Sequence, residues 1–309
     1  MRADDPKAVS GQRGIMTKRL QLAVSTYSFH RFGSGPEGDA LPALEAMIDR
    51  CAELGIDGIE IIGNHLTALG KTAPEEIRAL KQYAARRGVA PVSVSAHHNF
   101  VQPDPTAREA ELDKLVRWID VAYELGAPFV RAFGGRWGTA RSFDAYMAAN
   151  GEEPPLPGYT LDDAYAWTVE AFRIAAYYAG RKGVTLALEN HWGLTATAEG
   201  TLRIFNEVAS PWLQLVLDTG NFIHTPDQYE EMRKMLPHLV LVHAKTYVGG
   251  SIYFGDFAID YDRVAAMLRE AGYAGYLSIE FEGKAMPDEG IAESVRILRE
   301  AFGRQAGVA

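Results

Sequence analysis

Residues 184–191 read VTLALENH, with a bulky apolar side chain at every second position. Val184, Leu186 and Leu188 share one face, while Thr185, Ala187, Glu189 and His191 share the other. Strand side chains alternate between faces, so this run reads as a strand with one greasy face and one polar-tipped face. Seven more short apolar runs also read as strands: Leu20–Phe29, Gly58–Ile62, Pro91–Phe100, Pro128–Phe133, Leu213–Asp218, Leu239–Lys245 and Tyr276–Glu282. Helical patterns separate them, at Leu41–Glu53, Ala73–Arg87, Thr106–Leu125, Leu161–Arg181, Ala198–Val208, Pro226–Leu236, Asp262–Ala271 and Asp288–Phe302. Strands alternating with helices imply right-handed crossovers and a parallel sheet. Repeated eight times over roughly 250 residues, that alternation predicts an α/β fold, a single (β/α)8 TIM barrel.

The remaining sequence sets boundaries. Residues 1–18 are polar, with early acids and no apolar core of a secretion signal, and read as a leader. Met16 offers a second possible start. The barrel is expected over 19–303 and a tail over 304–309. Gly134–Thr160 is longer than an ordinary connection and leaves the end of strand 4, which makes it a candidate lid. The 309 residues carry a formal charge of -9, which disfavours nucleic acid and anionic membrane as partners. The single Cys51 excludes a disulfide framework and any CxxC metal site. No apolar run has the length of a membrane span. The cytoplasm is the expected compartment.

The greasy face of each strand should meet the helices, so the other face fills the barrel. That choice points Glu189, then Asp218 of strand 6, and Ser278, Glu280 and Glu282 of strand 8 inward. Ser93, Ser95 and His97 follow on strand 3, Glu60 on strand 2, Arg131 on strand 4 and Tyr27 on strand 1. Strand 7 is apolar on both faces. His243 and Lys245 are oriented inward because a charged head fits a barrel mouth and not the space under a helix. Nearly every strand thus ends in a polar group at its C-terminal tip, where barrel active sites are built.

Glu189, Asp218, His243 and Glu280 come from four successive strands. Three converging carboxylates repel one another unless a cation neutralises them. Arg131 and Lys245 are too few to match Glu60, Glu189, Asp218, Glu280 and Glu282. One divalent metal is therefore expected. Oxygen ligands with one histidine suit Mn²⁺ or Mg²⁺ better than Zn²⁺, with Co²⁺ and Zn²⁺ as further candidates.

The runs LALEN (186–190), LDTGN (217–221), VHAK (242–245) and GYLSIEFEG (275–283) resemble, in order, the xylose isomerase-like barrel superfamily of sugar phosphate isomerases and epimerases. The resemblance covers roughly Leu20 to Phe302. It implies that Glu189, Asp218, His243 and Glu280 bind the metal. It also implies that Glu189 and Glu280 are the catalytic pair, one removing an α-proton of a ketose or keto-polyol and the other returning one. The metal would stabilise the enediolate. Relatives are often dimers or tetramers, so a homo-oligomer is expected. The chain departs from the ketose 3-epimerase pattern at Thr195, Asn221 and Gly249, where those enzymes carry Glu, His and Arg. The ends of the substrate must therefore be recognised differently. Endonuclease relatives need extra histidine ligands, one of which is Asn221 here. The two-metal carboxylate pattern of true xylose isomerase is not visible either.

Candidate substrate contacts are Glu60, His97, His98, Arg131, His191, Trp192, Asn221 and Lys245. His97 would reach a hydroxyl or serve as an auxiliary base. His98 has helix-side parity but stands at a twisting strand end. Arg131 suits a carboxylate, a phosphate or a hydroxyl pair, or else pairs with Glu60. His191 and Trp192 suit sugar stacking. Lys245 would bind a substrate oxygen or pair with Glu282. Gly33–Gly38 matches GxGxxG, but its acids Glu37 and Asp39 oppose a pyrophosphate, and a plain loop is the better reading. The sum is a metal-dependent sugar isomerase or epimerase. The alternatives are a lyase on the same site, resembling inosose or 3-dehydroshikimate dehydratases or 3-keto-glycoside deglycosidases, and a non-catalytic sugar-binding barrel.

Overall fold

The computed structural model describes residues 20–30, 41–149, 151–222, 224–251 and 257–304. The leader, the GxGxxG match and residues 305–309 lie outside them. Eight parallel strands close in sequence order: β1 (Gln21–Ser25), β2 (Gly58–Ile62), β3 (Ala90–Ser95), β4 (Phe129–Phe133), β5 (Thr185–Glu189), β6 (Leu213–Asp218), β7 (Leu239–Thr246) and β8 (Tyr276–Phe281). β8 pairs with β1, with Leu277 opposite Leu22. The outer helices are α1 (Leu44–Glu53), α2 (Gly63–Ala68), α3 (Pro74–Arg87), α4 (Pro105–Leu125), α5 (Phe143–Ala148), α6 (Leu161–Lys182), α7 (Ala198–Val208), α8 (Gln228–Met235), α9 (Tyr261–Glu270) and α10 (Pro287–Gly303).

Two separate cores follow from strand parity. Leu186, Leu188, Leu215, Leu217, Val242, Leu277 and Ile279 join the large cluster between sheet and helices. Ala187, Val216 and Leu241 form a small second cluster, with Phe129 and Tyr276 against it. These are the opposite-parity positions of the same strands, so they plug the barrel interior below the polar tips. Helix ends match the glycine stops: Gly126 and Gly183 take left-handed φ of 82° and 69°, which a side chain would disfavour. The insertion after β4 ends in a capping box, in which Thr160 and Asp163 satisfy each other's backbone at the start of α6.

Three local differences from the sequence reading matter for the site. β1 stops at Ser25, and Thr26–Phe29 turn into a 3-10 helix. There Ser28 Oγ donates to Ile279 O and accepts from Phe281 N, tying that turn to β8. A short helix, α2, follows β2 where none is expected from periodicity. β3 ends at Ser95, which leaves His97 and His98 beyond the ladder and outside its parity. Among the described residues, no helix is long and apolar enough to cross a membrane.

Candidate active site

A cavity of about 350 Å³ opens at the C-terminal end of the strands. Neighbours in register stand at its base: Lys245 pairs with Glu280 across β7 and β8, both lining the cavity, and Asp218 with His243 across β6 and β7, both buried just behind it. His243 Nδ1 is the point of convergence. It lies 3.5 Å from Glu189, 3.5 Å from Glu280 and 3.9 Å from Asp218. All four residues are buried.

Backbone and side-chain partners fix each carboxylate. Asp218 Oδ1 accepts from the Gly220 amide at 2.7 Å, which leaves Oδ2 facing the centre. Asn190 clamps β6 from β5, accepting from Asp218 N at 2.7 Å and donating to Asp218 O at 2.9 Å. Asn221 donates to Glu189 Oε1 at 3.2 Å, and Arg131 Nε stands 3.2 Å from Glu189 Oε2. Lys245 Nζ binds Glu280 and Glu282, each at 2.7 Å.

The electrostatics are those of crowded negative charge. Burial and the nearby Glu189 and Glu280 push the Asp218 carboxyl well above the usual carboxylate range, against the pull of Lys245. Burial disfavours the His243 imidazolium, yet Glu60, Glu280 and Glu189 together hold its pKa well above the ordinary histidine value. Burial also opposes ionised Glu189, but Arg131 and His243 overcome it and lower its pKa.

The donor set fits a metal. Glu189 Oε2, Asp218 Oδ2 and His243 Nδ1 are buried and have no hydrogen-bond partner. Ligand atoms of Glu189, Asp218 and His243 lie within 4.8 Å of one another, as do those of Glu60, His243 and Glu280. Arg131 Nε stands 3.2 Å from Glu189 Oε2 and Lys245 Nζ 3.5 Å from Asp218 Oδ2, ion pairs that leave converging buried carboxylates around His243, which a further cation would stabilise. Oxygens plus one imidazole suit a hard divalent ion.

The description of the xylose isomerase-like TIM barrel family matches residues 48–301. The chain belongs to that family. L-ribulose-5-phosphate 3-epimerase UlaE of Salmonella heidelberg (strain SL476) is 26% identical over 78% of this chain and 84% of its own length. Inosose dehydratase of Erwinia tasmaniensis is 23% identical over 87% of this chain and 93% of its own length. The crystal structure of D-psicose 3-epimerase from Clostridium cellulolyticum H10 with D-tagatose superposes with a TM-score of 0.71 at 16% identity. It covers 92% of this chain and 99% of that one.

In this xylose isomerase-like barrel, His97, Arg131, His191, Trp192, Asn221 and Lys245 line the cavity beside Glu189 and Glu280. Two expected substrate contacts are placed elsewhere. Glu60 is fully buried below the floor, where Ser95, Ser278 and His243 surround it. The strand-2 tip is overlaid by His243, so Glu60 holds that imidazole instead of meeting solvent. His98 packs between Phe100 and Phe172, with ring centroids at 4.5 Å and 5.9 Å, and its Nε2 accepts from Phe133 N. These contacts hold His98 on the helix side, away from the cavity. Arg131 pairs with Glu189, and Lys245 pairs with Glu282 as well as Glu280. Thr195 is absorbed by the loop: its Oγ accepts from His191 N and donates to His191 O.

Sequence reasoning missed Phe133, Arg136, His224 and Tyr247 on the cavity wall and Asn190 behind it. Asn190 stands inside LALEN, directly after Glu189, which is a readable signal. Arg136, His224 and Tyr247 stand on loops, where no period predicts direction.

Proposed function

We propose that the chain is a divalent-metal-dependent sugar epimerase or isomerase that moves an α-proton of a ketose or keto-polyol. One observation carries this reading: Glu189 and Glu280, from strands β5 and β8, both stand 3.5 Å from the same imidazole nitrogen at the cavity floor. A divalent cation held by Glu189, Asp218, His243 and Glu280 supplies positive charge to the oxygens of an enediolate. Mn²⁺ is the favoured ion on the donor chemistry.

The side chains do the rest. One glutamate takes the proton next to the carbonyl, and the other returns a proton to that carbon or its neighbour. Arg131 and Lys245 hold the two carboxylates in place, and Asn221 steers Glu189. His97 and His191 offer neutral imidazoles to substrate hydroxyls. Burial, with the nearby Arg131 charge, lowers the His97 pKa to about 3. Burial likewise lowers that of His191 to about 4, against the opposing pull of Glu189. The sugar epimerase relatives support the reaction class.

A second reading is dehydration at the same site. Its support is Lys245, an ammonium 2.7 Å from Glu280, which can protonate a departing hydroxyl once Glu280 has taken the α-proton. The inosose dehydratase relative points the same way. The deciding experiment incubates the Mn²⁺-loaded protein in D₂O with ketoses, inososes and 3-keto sugars. Gain of about one mass unit with the substrate otherwise intact supports epimerisation or isomerisation, and loss of water supports the lyase. A Glu280→Gln variant that still exchanges deuterium at the wild-type rate defeats both.

A further inference from the structure

We propose that the outer face of α6 is the centre of a two-fold interface between two copies of this chain. Among the described residues, every exposed large apolar side chain except Met286 stands on α4, on α6 or just before α6. Exposed apolar residues scattered singly are ordinary, whereas a cluster on one face marks a contact surface. Ile174, Tyr177 and Tyr178 follow the three- and four-residue spacing of one helix face, and Tyr177 is 67% exposed. Lys182, one turn beyond Tyr178, lies 5.1 Å over the ring of Tyr123 and joins α4 to the same surface. On the other flank a groove of about 340 Å³ runs between Arg173, Tyr177, Gly180 and Trp212. A Cβ on Gly180 would meet Trp212 Cδ1 at 2.5 Å, so the glycine lets the indole lie against the helix.

This face is complementary to itself when two copies of α6 run antiparallel. Three pairs share one midpoint, between Ala175 and Ala176: Glu170 with Arg181, Arg173 with Tyr178, and Ile174 with Tyr177. A two-fold axis through that midpoint, normal to the exposed face, sets each residue opposite its pair on the second copy. The sideways positions agree as well. At about 100° per residue, Arg173 and Tyr178 lie on opposite flanks of the stripe, and a two-fold brings opposite flanks together. Glu170 and Arg181 lie near its middle. An unrelated partner would not require three pairs about one midpoint.

The charges fit the same arrangement. Lys182 pairs with Asp120 and Arg203 with Asp162 inside the chain, whereas Glu170 and Arg181 have no ion-pair partner among the described residues. In the dimer each meets the other, twice. Arg173 donates to Glu207 O at 2.5 Å, which holds its guanidinium for the Tyr178 ring of the second copy. Ile174 of the second copy enters the groove beside Tyr177. A stable interface buries about 800 Å² of each partner. Tyr123, Ile174, Tyr177 and Tyr178, each about half exposed, supply roughly 400 Å² of it. The stems of Glu170, Arg173 and Arg181, with Trp212 beside the groove, extend the surface toward that size.

The test is sedimentation velocity of the full chain from about 1 to about 100 µM, a range that brackets an ordinary dimer affinity. A species of twice the 33.9 kDa chain mass is expected within it. Tyr177→Ala, at the centre, should raise the dimer Kd about 30-fold or more. Glu170→Arg and Arg181→Glu each set like charges opposite one another and should each raise it about tenfold or more. The double variant restores opposite signs and should return to within about threefold of wild type. None of these positions lines the barrel cavity, and unchanged circular dichroism confirms that each variant folds. A monomer throughout the range, a dimer indifferent to Tyr177→Ala, or a double variant no tighter than the single ones overturns the proposal. Sedimentation reads association alone, so this inference and the proton-transfer reading can fail separately.

Discussion

Replacing Glu60 by glutamine removes one charge below the cavity floor and leaves its volume unchanged. Glu60 is 0% exposed, and its Oε2 stands 3.0 Å from His243 Nε2. Its other contacts are Ser95 Oγ on Oε1 and Ser278 Oγ on Oε2, the latter at 2.7 Å. Burial opposes the charge, yet His243, then Arg131 and Ser95, hold its pKa down at about 2, so it is ionised at neutral pH. Unit charges 3.0 Å apart in an effective dielectric of about 20 attract by roughly 5 kcal/mol before desolvation is counted. Breaking such a buried pair from one side typically costs about 3–5 kcal/mol. The metal-free Glu60→Gln protein should lose stability on that order, read from urea denaturation after chelator treatment. With metal bound, Nε2–H of His243 donates to Glu60, which orients the ring and raises its basicity. Loss of such a partner weakens metal binding by about 10–100-fold. Mn²⁺ titration against a competing chelator measures that term. Wild-type Mn²⁺ affinity in a destabilised variant would reduce Glu60 to a structural role. Wild-type affinity together with wild-type stability would refute the electrostatic reasoning altogether.

Gly220→Ala should damage the site and spare the barrel. A Cβ there would stand 2.5 Å from Lys245 Cγ and 2.6 Å from Tyr247 Oη, so the lysine stem must shift and its hold on Glu280 loosens. A fall of about 10²-fold in kcat/KM is expected from a displacement near 1 Å, with the circular dichroism spectrum unchanged. His98 predicts a pH effect. Burial, with the Arg131 charge, lowers its pKa to about 3, so the folded chain stays unprotonated there while the unfolded chain takes a proton near 6.5. The stability contribution is complete above pH 6.5 and is lost as pH falls toward 3. His98→Phe should flatten the slope of urea midpoint against pH across that window, and an unchanged slope would show the proton is taken up elsewhere.

Much of the site is legible because strand parity is a local property. Glu189, Asp218 and Glu280 each stand on the face opposite a run of leucine, valine or isoleucine. The helices must cover that greasy face, so the acids can only point into the barrel. Once eight such strands are counted, closure brings their tips together, and the cluster around His243 follows. Strand 7 is apolar on both faces, and there the rule that a charge avoids the space under a helix sufficed.

Parity does not state depth, and it says nothing once a strand ends. Glu60 has the inward parity of a substrate contact, but closure lays His243 of β7 over it, 183 residues away in sequence. That pairing depends on the relative tilt and stagger of nonadjacent strands, which no local pattern encodes. His98, Arg136, His224 and Tyr247 lie on loops whose direction is set by tertiary contacts. Asn99 holds the Arg136 backbone through donation from Nδ2 and acceptance at Oδ1, and Tyr146 seats Trp192. The residues by themselves determined which groups point inward. Only the closed barrel decided which of them touch the cavity and which brace it from below, because that depends on contacts between segments far apart in the chain.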